Sequence, residues 1–182
     1  MERHSRNPQE ERSSIQRMEG GYRLGSRPGL VLIDTNVFVI DLRYRRDVNY
    51  KTNQRFLEYA AKRQIGFTTI VNLLELCAIL SFNLNETQLT ELWFYFQERY
   101  KIVVLPAPEL NSSFPSITLS DIFGLLKKRT SLGDALMILM AQKHLPFVST
   151  LVSWDKLHFS HIFPGTVLNP DEFLRAQNTT NG

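Results

Sequence analysis

From residue 30 onward, short apolar runs alternate with longer stretches that are apolar on one side only. Leu30-Val31-Leu32-Ile33 is a continuous apolar run of the kind that marks a strand buried on both faces. Residues 53–63 read as an amphipathic helix with Phe56, Leu57, Ala60 and Ala61 on one side. Gly66-Phe67-Thr68-Thr69 is a brief strand, and 70–82 a strongly apolar helix. Another helix spans Glu86 to Tyr100, opened by Asn85 as a cap, and a third strand at 101–105 stops before Pro106 and Pro108. Helices are expected at about 118–129 and 132–144, with a fourth strand at 147–152. A short helix at 156–162, a fifth strand at Thr166-Val167-Leu168 and a closing helix at 170–175 complete the pattern. Strands separated by helices predict a three-layer α/β/α sandwich around a mostly parallel sheet. In such folds ligands bind beyond the carboxyl ends of the strands, at the topological switch point.

The two ends of the chain break this rhythm. Residues 1–28 are rich in Arg, Glu, Ser and Gly and poor in large apolar side chains, so they predict a disordered or loosely docked extension. Residues 176–182 read as a flexible tail, leaving 29–175 as one domain. The net charge of +3 is uneven: residues 1–30 hold six Arg against four Glu, and the remainder is nearly neutral. That excludes a basic arm able to neutralise the roughly 6–10 phosphates of non-specific duplex binding. A single cysteine, Cys77, excludes an internal disulfide and sits in an apolar run, where it reads as a small hydrophobe. With no apolar stretch of about 20 residues and no signal-peptide core, the chain is expected to be cytoplasmic, with no membrane contact.

Against this background four acids are out of place. Asp34 closes the first strand and precedes Thr35-Asn36, where it could cap the following helix or carry chemistry. Glu75 lies in Val71-Asn72-Leu73-Leu74-Glu75-Leu76-Cys77-Ala78-Ile79-Leu80, which leaves almost no polar face around it. A carboxylate in apolar surroundings is costly unless it is paired or binds a metal. Asp134, in Ser131-Leu132-Gly133-Asp134-Ala135-Leu136, stands where a capping box would place an acid after Ser131. Asp155 follows the fourth strand and precedes Lys156-Leu157-His158-Phe159, again a capping position. If strands one and four are neighbours across the switch point, all four converge on one crevice. Carboxylates a few ångströms apart raise each other's pKa, and a hard cation such as Mg²⁺ or Mn²⁺ relieves that repulsion.

In these segments, together with Leu32-Ile33-Asp34-Thr35-Asn36-Val37-Phe38 and Val152-Ser153-Trp154-Asp155, the chain resembles the PIN-domain nucleases, which carry acids at these four points in this order. The resemblance covers about residues 29–175 and is nearest in size to the VapC-type toxins of toxin–antitoxin pairs, although the N-terminal extension is long for that group. It implies a sheet of about five parallel strands, a divalent metal in the crevice and endonucleolytic cleavage of RNA. Asp34, Glu75 and Asp134 would then be the primary metal ligands, with Asp155 supporting a second metal or an oriented water. Thr35 or Asn36 would hold a coordinated water or the scissile phosphate, and Ser131 would border the same site. No Ser–His or Cys–His pair is needed for such chemistry, and His144, His158 and His161 read as helix-end or loop residues rather than zinc ligands.

Two basic clusters offer phosphate contacts: Arg43, Arg45 and Arg46 with nearby Tyr44 and Tyr50, and Lys127-Lys128-Arg129. Lys156 is the basic residue nearest the predicted site in sequence. Trp93-Phe94-Tyr95-Phe96 points aromatic rings all round one helix, so part of it is expected to reach a partner, either a second copy in a homodimer or an antitoxin protein. Two other readings compete. A haloacid-dehalogenase-like phosphatase also opens with an Asp after strand one, but needs a second Asp where Asn36 stands. A catalytically silent module of the same fold would keep the acids without binding Mn²⁺ tightly.

Overall fold

The computed structural model describes residues 29–179. The expected extension at 1–28 lies outside the described residues. Five short strands form one sheet: β1 (Val31–Ile33), β2 (Gly66–Thr69), β3 (Val103–Leu105), β4 (Thr150–Val152) and β5 (Thr166–Leu168). The order is β3-β2-β1-β4-β5 and every pairing is parallel. Chain order reverses between β1 and β4, which are paired with Ile33 opposite Val152. The neighbourhood on which convergence of the acids depended is therefore present.

Eight helices occur among the described residues: α1 (Thr35–Arg43), α2 (Tyr50–Arg63), α3 (Ile70–Leu80), α4 (Glu86–Tyr100), α5 (Leu119–Leu126), α6 (Leu132–His144), α7 (Lys156–Phe159) and α8 (Pro170–Thr179). They cover a sheet whose central strand, β1, is fully buried, as its continuous apolar run requires. The layers and the parallel sheet are those of a PIN-like α/β/α fold. An aromatic cluster of Phe38, Phe96 and Tyr100, with ring centroids 4.9–5.2 Å apart, locks α1 to α4. No helix among the described residues is long and apolar enough to cross a membrane.

Three expectations need correction. The second helix starts at Tyr50 rather than Asn53, and Asn53 is fully buried within it, donating to the Val37 carbonyl and accepting from the Trp154 indole. The expected tail at 176–182 is helical as far as Thr179. Packing accounts for this: α8 lies on α2 through Phe173 against Phe56 and Tyr59, and the Tyr59 hydroxyl reaches Gln177. Glu75 is exposed, not embedded. Ile70, Val71, Asn72, Leu73, Leu76 and Leu80 form the buried face of α3, while Leu74, Glu75 and Ala78 share the outer one. An exposed Leu and Ala made that outer face look apolar in sequence.

Candidate active site

The site is built at the carboxyl end of β1 and β4. Asp34 leaves β1 in an extended conformation and caps α1, its Oδ1 accepting the Thr35 amide at 2.7 Å. Its Oδ2 accepts the Ser153 hydroxyl at 2.7 Å. Asp34 is 6% exposed, and its carboxyl is pushed up to about 7, first by burial and then by the nearby charges of Glu75 and Asp134. The hydrogen bonds from Ser153 and Thr35 act in the opposite direction and do not offset the burial.

The other acids gather by separate routes. Glu75 reaches over from α3, and its Oε2 accepts the Thr35 hydroxyl at 2.5 Å. Thr35 is in turn fixed by the Asn72 amide at 3.0 Å, and Asn72 belongs to the capping box with Thr69 that opens α3. Gly133 brings the first turn of α6 against the same carboxylate, since a β-carbon there would lie 3.5 Å from Glu75 Oε1. Asp134 sits one residue on, behind the Ser131 cap, and its Oδ2 faces both the Ser131 hydroxyl and His158 Nε2 at 3.0 Å. Asp155 stands on the shoulder of the crevice: it precedes α7 without a capping bond, and its carboxylate is exposed. After burial, the charges that help raise Asp34 are those of Glu75 and Asp134, which groups these three acids as the centre, and the exposed Asp155 ahead of α7 is taken as the rim.

Two residues not singled out from sequence prove central. Ser153 is fully buried, and its hydroxyl donates to Asp34 while accepting from the Asn36 amide at 3.0 Å and the Asp155 backbone at 2.9 Å. One oxygen thus ties the ends of two neighbouring strands. The signal was available as a small polar residue immediately after an apolar strand next to β1, but a serine there is common enough to pass unnoticed. His158, read as a helix-end residue, holds Asp134.

The remaining candidates divide. Both polar atoms of the Asn36 amide are engaged, with Ser153 and the Trp154 backbone, so Asn36 braces the site. Lys156 turns to Glu172 at 2.7 Å, which holds the Glu172 carboxyl below its usual range. Arg43 ends α1, nine residues and so about 14 Å from Asp34 at 1.5 Å per residue, Arg45 and Arg46 follow beyond the helix, and all three are exposed. Burial raises the Cys77 thiol to about 11, which leaves it un-ionised near neutrality.

Among the described residues no group of three or more His, Cys, Asp or Glu side chains is placed to hold a metal ion. The donor chemistry nevertheless fits Mg²⁺ or Mn²⁺. The central donors are hard carboxylate oxygens, Mg²⁺ commonly retains waters and needs only one or two protein carboxylates, and the crowded charge on Asp34 is what a cation relieves.

No family model matches the chain. No curated protein matches it either. Among solved structures it is similar to the crystal structure of FitAcB from Neisseria gonorrhoeae, with a TM-score of 0.51 and 16% identity over 78% of this chain and 98% of that one. The structure of FitAB bound to the IR36 DNA fragment aligns at a TM-score of 0.48 and 17% identity, over 78% of this chain and 95% of that one.

Proposed function

We propose that the chain is a metal-dependent endoribonuclease that hydrolyses RNA phosphodiester bonds, acting as the toxin of a toxin–antitoxin pair. The observation that carries this reading is Asp34: a buried carboxyl at the switch point whose pKa is raised toward neutrality, in part by two further carboxylates. Such crowding is unfavourable without a counter-charge and has a use when a cation is bound. Asp34, Glu75 and Asp134 would hold Mg²⁺ or Mn²⁺, with Asp155 at the rim. The bound metal supplies an acidified water and stabilises charge on the phosphoryl oxygens.

The chain's own residues prepare that centre. Ser153 and the Thr35 amide fix both oxygens of Asp34, and the Thr35 hydroxyl holds one oxygen of Glu75. Ser131 and His158 meet on Oδ2 of Asp134. The carboxylates are thereby oriented before substrate arrives, which lowers the cost of reorganisation during reaction. Asn36 carries an amide where a haloacid-dehalogenase-like phosphatase needs its second carboxylate, and that amide is engaged with Ser153 and the Trp154 backbone.

The antitoxin and homodimer readings rest on α4. Phe96 turns inward, while Phe94 and Tyr95 are exposed, and a cavity of about 350 Å³ reaching Tyr95 is lined by Leu80, Leu84 and Leu92 together with Gln88, Glu91 and Arg99. Exposed aromatics with a mixed apolar and charged groove at Tyr95 suit a protein partner.

The decisive experiment is cleavage of a mixed structured RNA in Mg²⁺ or Mn²⁺, alongside EDTA and Asp34→Asn controls. Cutting that disappears in both controls is the expected result. If folded protein neither cuts nor binds Mn²⁺, the catalytically silent module replaces the nuclease.

A further inference from the structure

The basic residues able to hold a phosphate chain are not equally placed around the acids. Lys156 is paired with Glu172, and the Arg43–Arg46 group lies at the distal end of α1. The turn Lys127-Lys128-Arg129 is different. It links α5 to the Ser131 cap of α6, and side-chain contacts join it to Asp134. A chain of contacts fastens this turn to the rim: Asp134 to His158 at 3.0 Å, His158 to His161 with centroids 6.0 Å apart, and His161 Nε2 to the Lys128 carbonyl at 3.3 Å.

All three basic side chains are exposed, and none enters the ion pairs found among the described residues. Arg129 adopts a left-handed conformation, with φ of 60°. An exposed aromatic accompanies the charge: Phe123 is 63% accessible, with Lys127 Nζ 5.4 Å from its ring centre. Cations beside an exposed ring form the usual platform for a single strand, the cations meeting phosphates and the ring stacking on a base.

We propose that single-stranded RNA leaves the acidic crevice over the His158–His161 rim and is gripped by Lys127, Lys128 and Arg129, with Phe123 stacking on a base beyond the cut. This rests on the nuclease reading of the crevice and adds to it the direction of the strand. It makes the Arg43–Arg46 group, the more basic-looking cluster in sequence, a bystander.

The test uses the full chain carrying Asp34→Asn, so that RNA is bound and not cut. Binding of a fluorescein-labelled single-stranded oligoribonucleotide in Mg²⁺ is measured by anisotropy across a salt series. One variant adds Lys127→Gln, Lys128→Gln and Arg129→Asn, the last chosen because Asn tolerates the left-handed backbone. A second adds Arg43→Gln, Arg45→Gln and Arg46→Gln. The first is expected to bind at least about tenfold more weakly, with the slope of log K against log salt reduced by about 2, since each lost phosphate contact on a single strand removes about 0.7. The second should change less than twofold. Equal weakening by both variants, or weakening by the second alone, overturns the proposal. The nuclease reading fails separately: wild-type protein that binds RNA through the turn but never cuts it would sink the activity and leave the strand path standing.

Discussion

The floor and the rim of the crevice use the same residue type under opposite conditions. On the floor, Asp34 is buried, both its oxygens are hydrogen-bonded, and its pKa is raised to about 7. On the rim, Asp155 is exposed three residues beyond the paired strand, with no capping bond from its side chain. Ser153 joins them, holding one carboxylate and one backbone amide with a single hydroxyl. The difference separates two tasks. The floor supplies a charge that is costly to keep and therefore useful to neutralise, whereas the rim supplies one that water already stabilises.

The largest expected effect comes from removing the floor charge. On the proposed nuclease reading, Asp34→Asn keeps the shape and should lower metal-dependent RNA cleavage by at least ~1000-fold, as loss of a central ligand would when residues act as a unit. Stability should move the other way. A carboxyl raised in the folded state from 3.8 to about 7 contributes stability that is fully present below pH ~4 and is lost as pH rises through about 7. Metal-free wild type should therefore melt at lower temperature at pH 8 than at pH 5, beyond any change shown by Asp34→Asn. The variant should also be the more stable of the two at pH 8. Thermal melts in EDTA at the two pH values check this, and equal pH responses would show that Asp34 ionises without cost.

Ser153→Ala attacks the link instead of the charge. It leaves Asp34 Oδ2, the Asn36 amide and the Asp155 backbone N–H each short of a partner. Buried polar groups without partners cost about 1–3 kcal/mol apiece, though not additively, so a loss of about 2–3 kcal/mol in urea unfolding is expected. Activity should fall about 10- to 100-fold, since the carboxylate remains but is no longer held. Ser153→Thr, which keeps the hydroxyl, should recover part of both.

These positions also show what could be read from sequence and what could not. The β1 run, the ends of α6 and the five-strand alternation were legible because apolar periodicity reports directly on burial. Asp34 stood out as an acid directly after a fully buried strand, and the plainer reading offered for it, an N-cap, is also true in the structure, where its Oδ1 accepts the Thr35 amide. Glu75 was singled out for a reason the structure does not support: its helix looked apolar all round, yet the residue is exposed and its carboxylate accepts the Thr35 hydroxyl. Ser153 and the His158–Asp134 contact depend on which strands lie side by side and on how α7 folds back, neither of which local pattern encodes. The same limit hid the placement of the first basic cluster, since Arg43 and Asp34 are close in sequence but sit at opposite ends of α1.

The smallest effect is expected at the rim, and it sharpens the comparison most. If the rim carboxylate only assists, Asp155→Asn should cost no more than about 0.5 kcal/mol in urea unfolding, because an exposed side chain leaves no buried group unpaired. The Asp155 backbone N–H still reaches Ser153, so the floor keeps its geometry. Cleavage should then fall only about 5- to 10-fold, which is about 1–1.4 kcal/mol in the barrier. Mn²⁺ affinity should change little, because Asp34, Glu75 and Asp134 remain. Steady-state cleavage and Mn²⁺ titration of the same preparation decide the matter. A loss as large as that of Asp34→Asn, with Mn²⁺ binding weakened in step, would move Asp155 from the rim into the centre and erase the division between the two regions.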